Sequence, residues 1–343
     1  MTTHYEVLNV DKRASLEVIQ AAFKALAVKY HPDKPTGNAR LFAKLAEARD
    51  VLSDERKRRE YDSSLANQFD GKTLVGSYEV LKFLAEGAMG RTYVVRHTLT
   101  KKLAVLKACL EISPEHEEVM LNEAQAIWDI RHYAFPAVRE VLKLDDGALA
   151  IVMSYIPGPT IEQAVKQLGP IDPIHVGWMF ERLLAGLNFL HANGVVHGDL
   201  KPQNIILQPE NHGAVMIDFG LAMIKPNNKS KNIGYTEHFS PPEQLWSDRK
   251  PLIPETDLYA LGMTMAYALT GKLTTPEELS RMTNIPGPLT TFIRRLTDRD
   301  VLKRPNWQKT DLLSEIGDIR TKAFGSRSTR GKSFPKVTYD IIK

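Results

Sequence analysis

The segment "VVHGDLKPQNIIL" at residues 195–207 brings an acid, a base and an amide together between two apolar runs. Asp199 could take a proton from a hydroxyl, Lys201 could steady a phosphate, and Asn204 could hold a metal ion. Asp, Pro and Asn are also the ordinary residues of a turn. The segment alone therefore leaves two interpretations, a catalytic loop and a plain polar turn, and the rest of the chain must decide between them.

A second set of polar residues lies among predicted strands. The stretch "YEVLKFLAEGAMGRTYVVRH" predicts a strand, a glycine loop and a second strand, and "KLAVLKACL" predicts a third strand with Lys107 inside it. Burying a lysine in an apolar strand costs free energy unless an anionic group meets it. The helix predicted for "EHEEVMLNEAQAIWDI" offers Glu123 as that group. Each feature alone is weak, since glycine loops and Lys–Glu pairs are common.

Residues 1–65 predict a pair of helices with a small core. Ser15 is a suitable N-cap for the first helix. Apolar residues then recur at helical spacing in two runs, namely Leu16, Ile19, Phe23, Leu26 and Tyr30, followed by Phe42, Leu45, Ala48 and Leu52. Two helices joined by a short loop pack in antiparallel orientation. That loop contains His31, Pro32 and Asp33.

Length and composition limit the class of protein. The 343 residues suggest about two or three domains. A hydrophobic content of 43% with 25% charged residues is typical of a globular chain. One cysteine, Cys109, excludes a disulfide framework and a zinc site built on several thiolates. The N-terminus shows no signal-peptide pattern, and the apolar stretch at 258–271 is too short for a bilayer. We therefore expect a cytoplasmic protein without a membrane span.

The positive charge is concentrated at the C-terminus. The net charge is +4, yet residues 320–343 alone hold seven Lys or Arg and one Asp. Such a tail could contact nucleic acid or acidic lipid. A solvated, partly disordered end is the favoured interpretation. Nucleic acid is therefore not an expected partner, although the basic tail leaves that alternative open.

The helical pair resembles the J-domain of DnaJ-type co-chaperones over about residues 3–65. The resemblance is carried by the tripeptide His31-Pro32-Asp33, which lies between "AFKALAVKY" and "FAKLAEARDVLSDERKRREYD". The resemblance implies that His31, Pro32 and Asp33 engage a DnaK-type chaperone and stimulate its ATP hydrolysis. Arg49 departs from the family, which usually carries an aromatic residue there. No Gly/Phe-rich or cysteine-rich module follows, so any binding of client proteins must come from elsewhere in the chain.

From about residue 78 to residue 319 the chain resembles a Hanks-type (eukaryotic-like) protein kinase, because the motifs occur in that family's order. The resemblance implies that Gly87 and Gly90 let the loop backbone approach the ATP phosphates. It also implies that Lys107 holds the α and β phosphates and that Glu123 orients this lysine.

The same resemblance assigns the adenine and catalytic positions. "LAIVMSYIPG" is similar to a hinge, with Met153 as gatekeeper and the backbone of Ser154 and Ile156 meeting adenine. Asp199 corresponds to the base that accepts the substrate's proton, and Lys201 lies near the γ-phosphate. The expected Mg²⁺ ligands are Asn204 and Asp218.

Further matches are structural, and three departures stand out. The resemblance implies a buried ion pair between Glu243 and Arg304, and an anchoring role for Asp257 beneath the catalytic loop. The departures are Ala85 for the first loop glycine, Thr92 for a valine above adenine, and Gly198 for the arginine that reads a phosphorylated activation loop. Without that arginine, a phosphate on the loop lacks its usual partner.

The predicted architecture is an all-α J-domain hairpin (1–65), a linker (66–77), a bilobal α+β protein kinase fold (78–319) and a basic tail (320–343). The predicted function is an ATP- and Mg²⁺-dependent Ser/Thr protein kinase, acting on protein substrates and recruited to a DnaK-type chaperone or its clients. One alternative is a co-chaperone whose kinase fold only binds clients or nucleotide. Another is a small-molecule kinase, since "HGD" loops occur in antibiotic phosphotransferases.

Overall fold

The computed structural model describes residues 4–11, 14–31, 34, 38–58, 61, 74–87, 90–110, 112–144, 147–245, 250–327 and 332–339. The chain divides into two compact units. The first, here called the helical unit, comprises Met1–Thr73 with Val80–Phe83, and the second, here called the large unit, comprises Leu74–Glu79 with Leu84–Lys343. None of the helices in the described ranges has the length and hydropathy needed to cross a membrane.

The helical unit is built from α1 (His4–Leu8), α2 (Leu16–Tyr30) and α3 (Ala39–Leu52). Ser15 and Asn38 cap α2 and α3 by accepting hydrogen bonds from backbone N–H groups of the first turns. The core consists of side chains from these helices, Tyr5, Leu8, Ile19, Leu45, Ala48 and Leu52. The predicted helical pair is confirmed. The short α1 was not predicted, because its five residues are too few to show a periodicity.

The loop after α2 is described in part. His31 is exposed at the C-cap of α2, and its ring meets the edge of Phe42 with centroids 5.2 Å apart. Pro32 and Asp33 lie outside the described residues, so the role predicted for them stays a prediction.

Arg49 stands where the resemblance leads us to expect an aromatic residue, and its side chain packs against Phe23. Its guanidinium lies 4.7 Å from the centroid of the Phe23 ring, and it also pairs with Asp50. A guanidinium is planar and stacks on an aromatic face much as a second ring would. The departure at this position is thus accommodated by α2 and α3 themselves.

The first sheet has the strand order β1-β2-β3-β4-β6-β5, and all of its residues except Val80–Phe83 belong to the large unit. The strands are β1 (Leu74–Val75), β2 (Tyr78–Glu86), β3 (Gly90–His97), β4 (Leu103–Cys109), β5 (Val138–Lys143) and β6 (Leu149–Ser154). Helix α4 (Pro114–Ile127) packs against β4, β5 and β6. In the antiparallel register Lys107 lies between Thr92 of β3 and Ile151 of β6, at the centre of the sheet. The range 66–77 was expected to be a linker, but the pairing of Leu74–Val75 with β2 brings its last residues into the sheet.

The rest of the large unit is mainly helical. The helices are α5 (Ile161–Leu168), α6 (Pro173–Ala192), α7 (Pro242–Leu245), α8 (Pro254–Thr270), α9 (Pro276–Ser280), α10 (Gly287–Leu296) and α11 (Leu312–Phe324). Two short two-stranded sheets accompany them: β7 (Val195–Val196) pairs with β10 (Met223–Ile224), and β8 (Ile205–Gln208) forms a hairpin with β9 (Gly213–Met216). Helix α6 is the central element and contacts α8, α11 and β9. The predicted bilobal α+β fold is confirmed.

The basic tail differs from the prediction of a solvated end. Helix α11 continues past residue 319, and Arg320 is buried against Glu181 of α6. Phe334 is only 5% exposed and packs edge-on against His175. The prediction rested on the amino-acid composition of the tail, and composition cannot show that Phe334 packs against the distant helix α6. Residues 332–339 thus belong to the folded large unit.

Candidate active site

Two polar clusters lie where the sheet meets the helices, and the first contains Lys107. Its Nζ is 2.9 Å from Oε1 and 2.7 Å from Oε2 of Glu123, and 2.8 Å from Oδ1 of Asp218. The three side chains come from β4, from α4 and from the segment after β9. The structure therefore brings together a lysine and an acid that the sequence predicted as partners, and adds a second carboxylate.

Burial and charge set the ionisation of this cluster. Burial alone would lower the pKa of Lys107, but the carboxylates of Glu123 and Asp218 outweigh it and raise that pKa. Burial raises the pKa of Glu123, and it opposes the ionisation of Asp218, whose pKa is nevertheless lowered by Lys107. Lys107 is therefore a fixed positive charge, and Asp218 is a carboxylate across the neutral pH range.

The backbone of Asp218 is in a conformation that its residue type rarely adopts. Its φ is +67°, in the left-handed region that non-glycine residues enter at a cost in free energy. Such strain persists where surrounding contacts fix it, and here the carboxylate is held by Lys107. The conformation aims Asp218 toward the lysine and toward the second cluster.

The second cluster surrounds Asp199. Lys201 Nζ is 2.7 Å from Oδ2 of Asp199 and 3.1 Å from Oγ1 of Thr236. The Thr236 hydroxyl donates to Oδ1 of Asp199 at 2.6 Å, and the Asn204 amide nitrogen donates to Oδ2 at 3.0 Å. A carboxylate that accepts a hydroxyl proton beside a lysine has the geometry of a general base. The polar loop singled out in the sequence is therefore an ordered cluster and not a solvated turn.

The loop that carries Asp199 is held from below by Asp257 of α8. The backbone N–H groups of His197 and Gly198 each donate to the Asp257 carboxylate at 2.8 Å, and His191 Nε2 lies at the same distance. Trp307 Nε1 donates to His191 Nδ1, so Nε2 carries the proton and donates to the acid. Burial opposes the charge on Asp257, but the hydrogen bond from His191 outweighs it and lowers the pKa of Asp257. The anchoring role expected for Asp257 is confirmed.

Gly198 is required by the shape of the loop. Its φ is +78°, and a Cβ there would lie 2.5 Å from Leu252 Cδ1 and 2.7 Å from the Leu221 carbonyl oxygen. The arginine that the kinase resemblance leads one to expect at this position would therefore be excluded by both backbone strain and space. The conformation of this loop therefore requires glycine at position 198.

Gln244 is a residue of this site that the sequence did not reveal. Its Nε2 donates to the carbonyl oxygens of Gly198 and Gly234, each at 2.9 Å. It thereby ties the loop carrying Asp199 to the segment before Thr236. The kinase resemblance singles out Glu243, and no sequence signal distinguishes the glutamine that follows it. Glu243 itself makes two bonds to Arg304, at 2.6 and 2.9 Å, which confirms the predicted buried pair.

The two glycines of the loop between β2 and β3 have different surroundings. A Cβ on Gly90 would lie 2.7 Å from the Ala108 carbonyl oxygen, so β3 and β4 can approach only with glycine there. A Cβ on Gly87 would meet nothing within 4 Å, and its N–H donates to the Gly90 carbonyl at 2.9 Å. Residues 88 and 89 between them lie outside the described ranges. Gly87 is thus the glycine that leaves open space beside the sheet.

The predicted hinge follows β6. Met153 is buried at the end of that strand, and Ile156 is partly buried in the extended segment after it. The N–H of Ser154 donates to the Ala137 carbonyl at 3.0 Å, so this N–H is not available to a ligand. The adenine-binding role predicted for these three residues stays a prediction, and the hydrogen bond to Ala137 limits what the Ser154 backbone can offer.

Comparison with known proteins gives two family matches. The protein kinase domain model matches residues 78–315, more than half of the chain, and the DnaJ domain model matches residues 3–62. The chain belongs to the protein kinase family. It carries a DnaJ domain before the kinase domain, so both resemblances stated from the sequence are confirmed.

Individual proteins similar to this chain are named as serine/threonine-protein kinases. The chain is 31% identical to serine/threonine-protein kinase F of Synechocystis sp., over 77% of this chain and 58% of that protein. It is 29% identical to serine/threonine-protein kinase pkn3 of Myxococcus xanthus, over 60% of this chain and 40% of that protein. This chain thus matches about half the length of these curated relatives.

The kinase family uses ATP with a divalent metal, and the donor set fits such an ion. Asn204 directs its amide nitrogen at Asp199, so its amide oxygen points the other way, and Asp218 bonds Lys107 through Oδ1. Across the described ranges no group of three or more His, Cys, Asp or Glu side chains could hold a metal. Mg²⁺ prefers oxygen ligands, and the Asp218 carboxylate and the Asn204 amide oxygen would supply two of them, with phosphate oxygens and water supplying the rest.

Proposed function

We propose that this protein is an ATP-dependent Ser/Thr protein kinase, and that its DnaJ domain brings it to a DnaK-type chaperone or to proteins held by that chaperone. The observation that carries the catalytic part is the Thr236 hydroxyl, which donates to Asp199 at 2.6 Å with Lys201 beside both groups. A substrate hydroxyl that took the place of this threonine hydroxyl would meet a base and a cation together.

The reaction follows from these positions. Asp199 accepts the proton of the substrate hydroxyl while that oxygen forms a bond to the γ-phosphorus and the bond to the β-phosphate oxygen breaks, leaving ADP. Lys201 lies where it can neutralise charge on the transferred group, and Lys107 offers a fixed positive charge to the phosphates ahead of it. Mg²⁺ supplies charge neutralisation on the phosphates when bound. Asn204 and Asp218 would hold it.

The other assigned positions serve binding. Gly87 and Gly90 would shape the loop over the phosphates, and Met153, Ser154 and Ile156 would frame the adenine. A module that only bound clients would have no physical need for Lys107 and Glu123 as a buried pair, because burying two charges without a task costs free energy. Retention of both charged clusters favours catalysis over the co-chaperone alternative.

Incubation with labelled ATP, Mg²⁺ and a generic protein substrate tests the catalytic proposal. We expect label on Ser and Thr of the protein substrate, lost on chelation of Mg²⁺. Label on an aminoglycoside and none on protein would instead indicate a small-molecule kinase. Nucleotide binding without any transfer would overturn the proposal and favour the co-chaperone alternative.

Recruitment through the DnaJ domain is a separate claim. The tether between the two domains is short, so docking of His31, Pro32 and Asp33 on a chaperone would raise the effective concentration of kinase near that chaperone and its clients. Asp33→Asn should abolish stimulation of the chaperone ATPase and slow phosphorylation of chaperone-bound proteins, while generic substrates are modified as before.

The matched control for that experiment is Asp50→Asn, the same substitution on the exposed side of α3, where Asp50 pairs with its neighbour Arg49. It should change neither activity. If Asp33→Asn protein modifies chaperone-bound targets at the normal rate, the kinase does not reach them through its DnaJ domain.

A further inference from the structure

The segment that leads to Thr236 has two different sides. Residues 231–236 run without a helix or a turn, and exposure alternates along the segment. The outward side chains, here called the outer ridge, are Lys229, Lys231, Ile233 and Tyr235, and the inward residues are Ser230, Asn232, Gly234 and Thr236. Ile233 is 52% and Tyr235 58% exposed, which is unusual for large apolar residues beside a candidate active site.

The inward side fixes this segment in place. Asn232 is buried, and its amide nitrogen reaches the carbonyl oxygens of Gln244 at 3.5 Å and Lys250 at 3.4 Å. Gly234 accepts from Gln244 at 2.9 Å, and Thr236 bonds Asp199. The outer ridge is therefore held in a defined position, and its last residue, Tyr235, directly precedes Thr236, which bonds the proposed catalytic base.

The charge of the outer ridge is positive. Within the described residues neither Lys229 nor Lys231 forms an ion pair. Glu237, the acid that directly follows Thr236, lies 3.8 Å from its neighbour His238. Among the residues that the structure describes, two exposed ammonium groups without an ion pair thus lie before the two exposed apolar side chains, with Lys229 in the turn and Lys231 in the extended stretch.

We infer that the protein substrate lies along the outer ridge and is acidic at a set distance from its Ser or Thr. This inference rests on the proposed kinase activity and specifies its substrate class. An extended peptide advances about 3.3 Å per residue, so it can run beside the stretch 231–236. Tyr235 and Ile233 then face peptide positions about one and three residues from the acceptor, and Lys231 faces a position about five residues away. Lys229, in the turn before this stretch, faces the residues just beyond, near the seventh position.

Apolar residues near the acceptor would bury the exposed rings and methyl groups of the ridge. Asp or Glu further along would meet the two ammonium groups, whose attraction acts on encounter rate and register as well as on affinity. The charge pattern of the ridge, apolar then basic, is complementary to a substrate that is apolar then acidic. A basic substrate would face repulsion from the same two lysines.

Synthetic peptides test the inference. Each has one Ser acceptor with apolar neighbours, and carries Asp, Asn or Lys at the fifth and seventh positions, in one series after the acceptor and in a second series before it. We expect kcat/KM for the Asp peptide to exceed that for the Asn peptide by about three- to tenfold in one of the two series. This ratio should fall toward one at high salt, because exposed charges are screened.

Charge reversal identifies the residues responsible. The double variant Lys229→Glu with Lys231→Glu should reverse the order, so that the Lys peptide becomes the better substrate. Lys309→Glu, an exposed lysine outside the site, is the matched control and should keep the wild-type order.

The outcomes separate this inference from the activity on which it rests. Equal kcat/KM for Asp, Asn and Lys peptides, with normal label on a generic protein, would overturn the ridge assignment and leave the kinase proposal standing. The same is true if charge reversal leaves the order unchanged. Failure to label every peptide and every protein would instead overturn the proposed activity itself.

Discussion

In the helical unit, His31 lies exposed at the end of α2, apart from the side chains that form the core of that unit. In the large unit, Glu123 is buried and accepts hydrogen bonds from Lys107, which is mostly buried and also bonds Asp218. The first arrangement suits the partner recognition that we propose for His31, and the second fixes the charges of groups that we propose act on a charged ligand. The two units of one chain therefore use polar residues in opposite environments.

This difference has a physical consequence for substitutions. Exposed polar groups contribute little to the free energy of unfolding, usually within about 0.5 kcal/mol. A buried charge that loses its partner costs about 3–5 kcal/mol. We therefore expect function and stability to be separable in the helical unit and coupled in much of the large unit.

The largest expected effect is on the rate of phosphoryl transfer from ATP. Asp199→Asn should lower kcat by about 10²–10⁴-fold, because the amide cannot accept the substrate proton as a base. Binding of a labelled ATP analogue should be retained, since Lys107 and Asp218 are unchanged. Single-turnover transfer and equilibrium nucleotide binding measure the two properties. Near-normal transfer by Asp199→Asn protein would show that the base has been assigned to the wrong residue.

The next effect is on stability. Glu243→Gln leaves the guanidinium of Arg304, whose side chain is 0% exposed, without its carboxylate, and should cost about 3–5 kcal/mol of unfolding free energy. Denaturant unfolding measures this. The matched control is Glu315→Gln, which breaks the more exposed pair with Arg295 and should cost less than about 1 kcal/mol. Equal effects for the two variants would contradict the distinction between buried and exposed pairs.

Phe334→Ala tests whether the C-terminal segment is part of the large unit. Removing a buried phenylalanine costs about 3–5 kcal/mol in a well-packed core, and Phe334 packs against His175 and Trp178 of α6. We expect the lower end of this range, because the ring lies near the surface. Leu302→Ala, at a side chain that is 90% exposed, is the control and should change little. An unchanged unfolding midpoint for Phe334→Ala would mean that the segment does not stabilise the fold.

The comparison also extends to pH. Burial lowers the pKa of His197, which is fully buried against Phe219, so the folded state binds its proton only at low pH. The unfolded chain binds it near pH 6.5, so stability is present above about pH 6.5 and falls as pH decreases, by up to about 1.4 kcal/mol per pH unit for this group. His197→Gln should flatten the curve of unfolding free energy between pH 7 and 5 relative to wild type. A parallel curve would show that His197 does not carry this dependence.

The sequence predicts residues that are identified by their neighbours in the chain, and it does not predict contacts between distant segments. Lys107, Asp199 and Asp218 were predicted because each lies in a short motif whose neighbours in sequence identify it. Gln244 was missed, because its bonds to Gly198 and Gly234 depend on how the loops meet. The docking of the tail was missed for the same reason, since its composition indicates solvation. Tertiary contacts between distant segments leave no periodicity or spacing to detect.

The smallest expected effect on stability is at His31. Its side chain is exposed and its ring meets the edge of Phe42, so His31→Gln should change the unfolding free energy of the helical unit by no more than about 0.5 kcal/mol. Stimulation of a DnaK-type chaperone's ATPase should nevertheless be lost, because His31 belongs to the tripeptide through which we propose that the DnaJ domain engages the chaperone. Steady-state ATPase and thermal unfolding of the full chain measure the two properties.

Leu45→Ala is the counterpart of that variant in the core of the same unit. Leu45 is buried between the helices, so its truncation should cost about 2–5 kcal/mol and remove chaperone stimulation by unfolding the domain. His31→Gln should instead remove stimulation from a domain that is still folded, and kinase activity on generic proteins should be unchanged because His31 lies outside the kinase domain. If His31→Gln lowers stability as much as Leu45→Ala, recognition and folding are coupled in the helical unit as well, and the contrast between the two units does not hold.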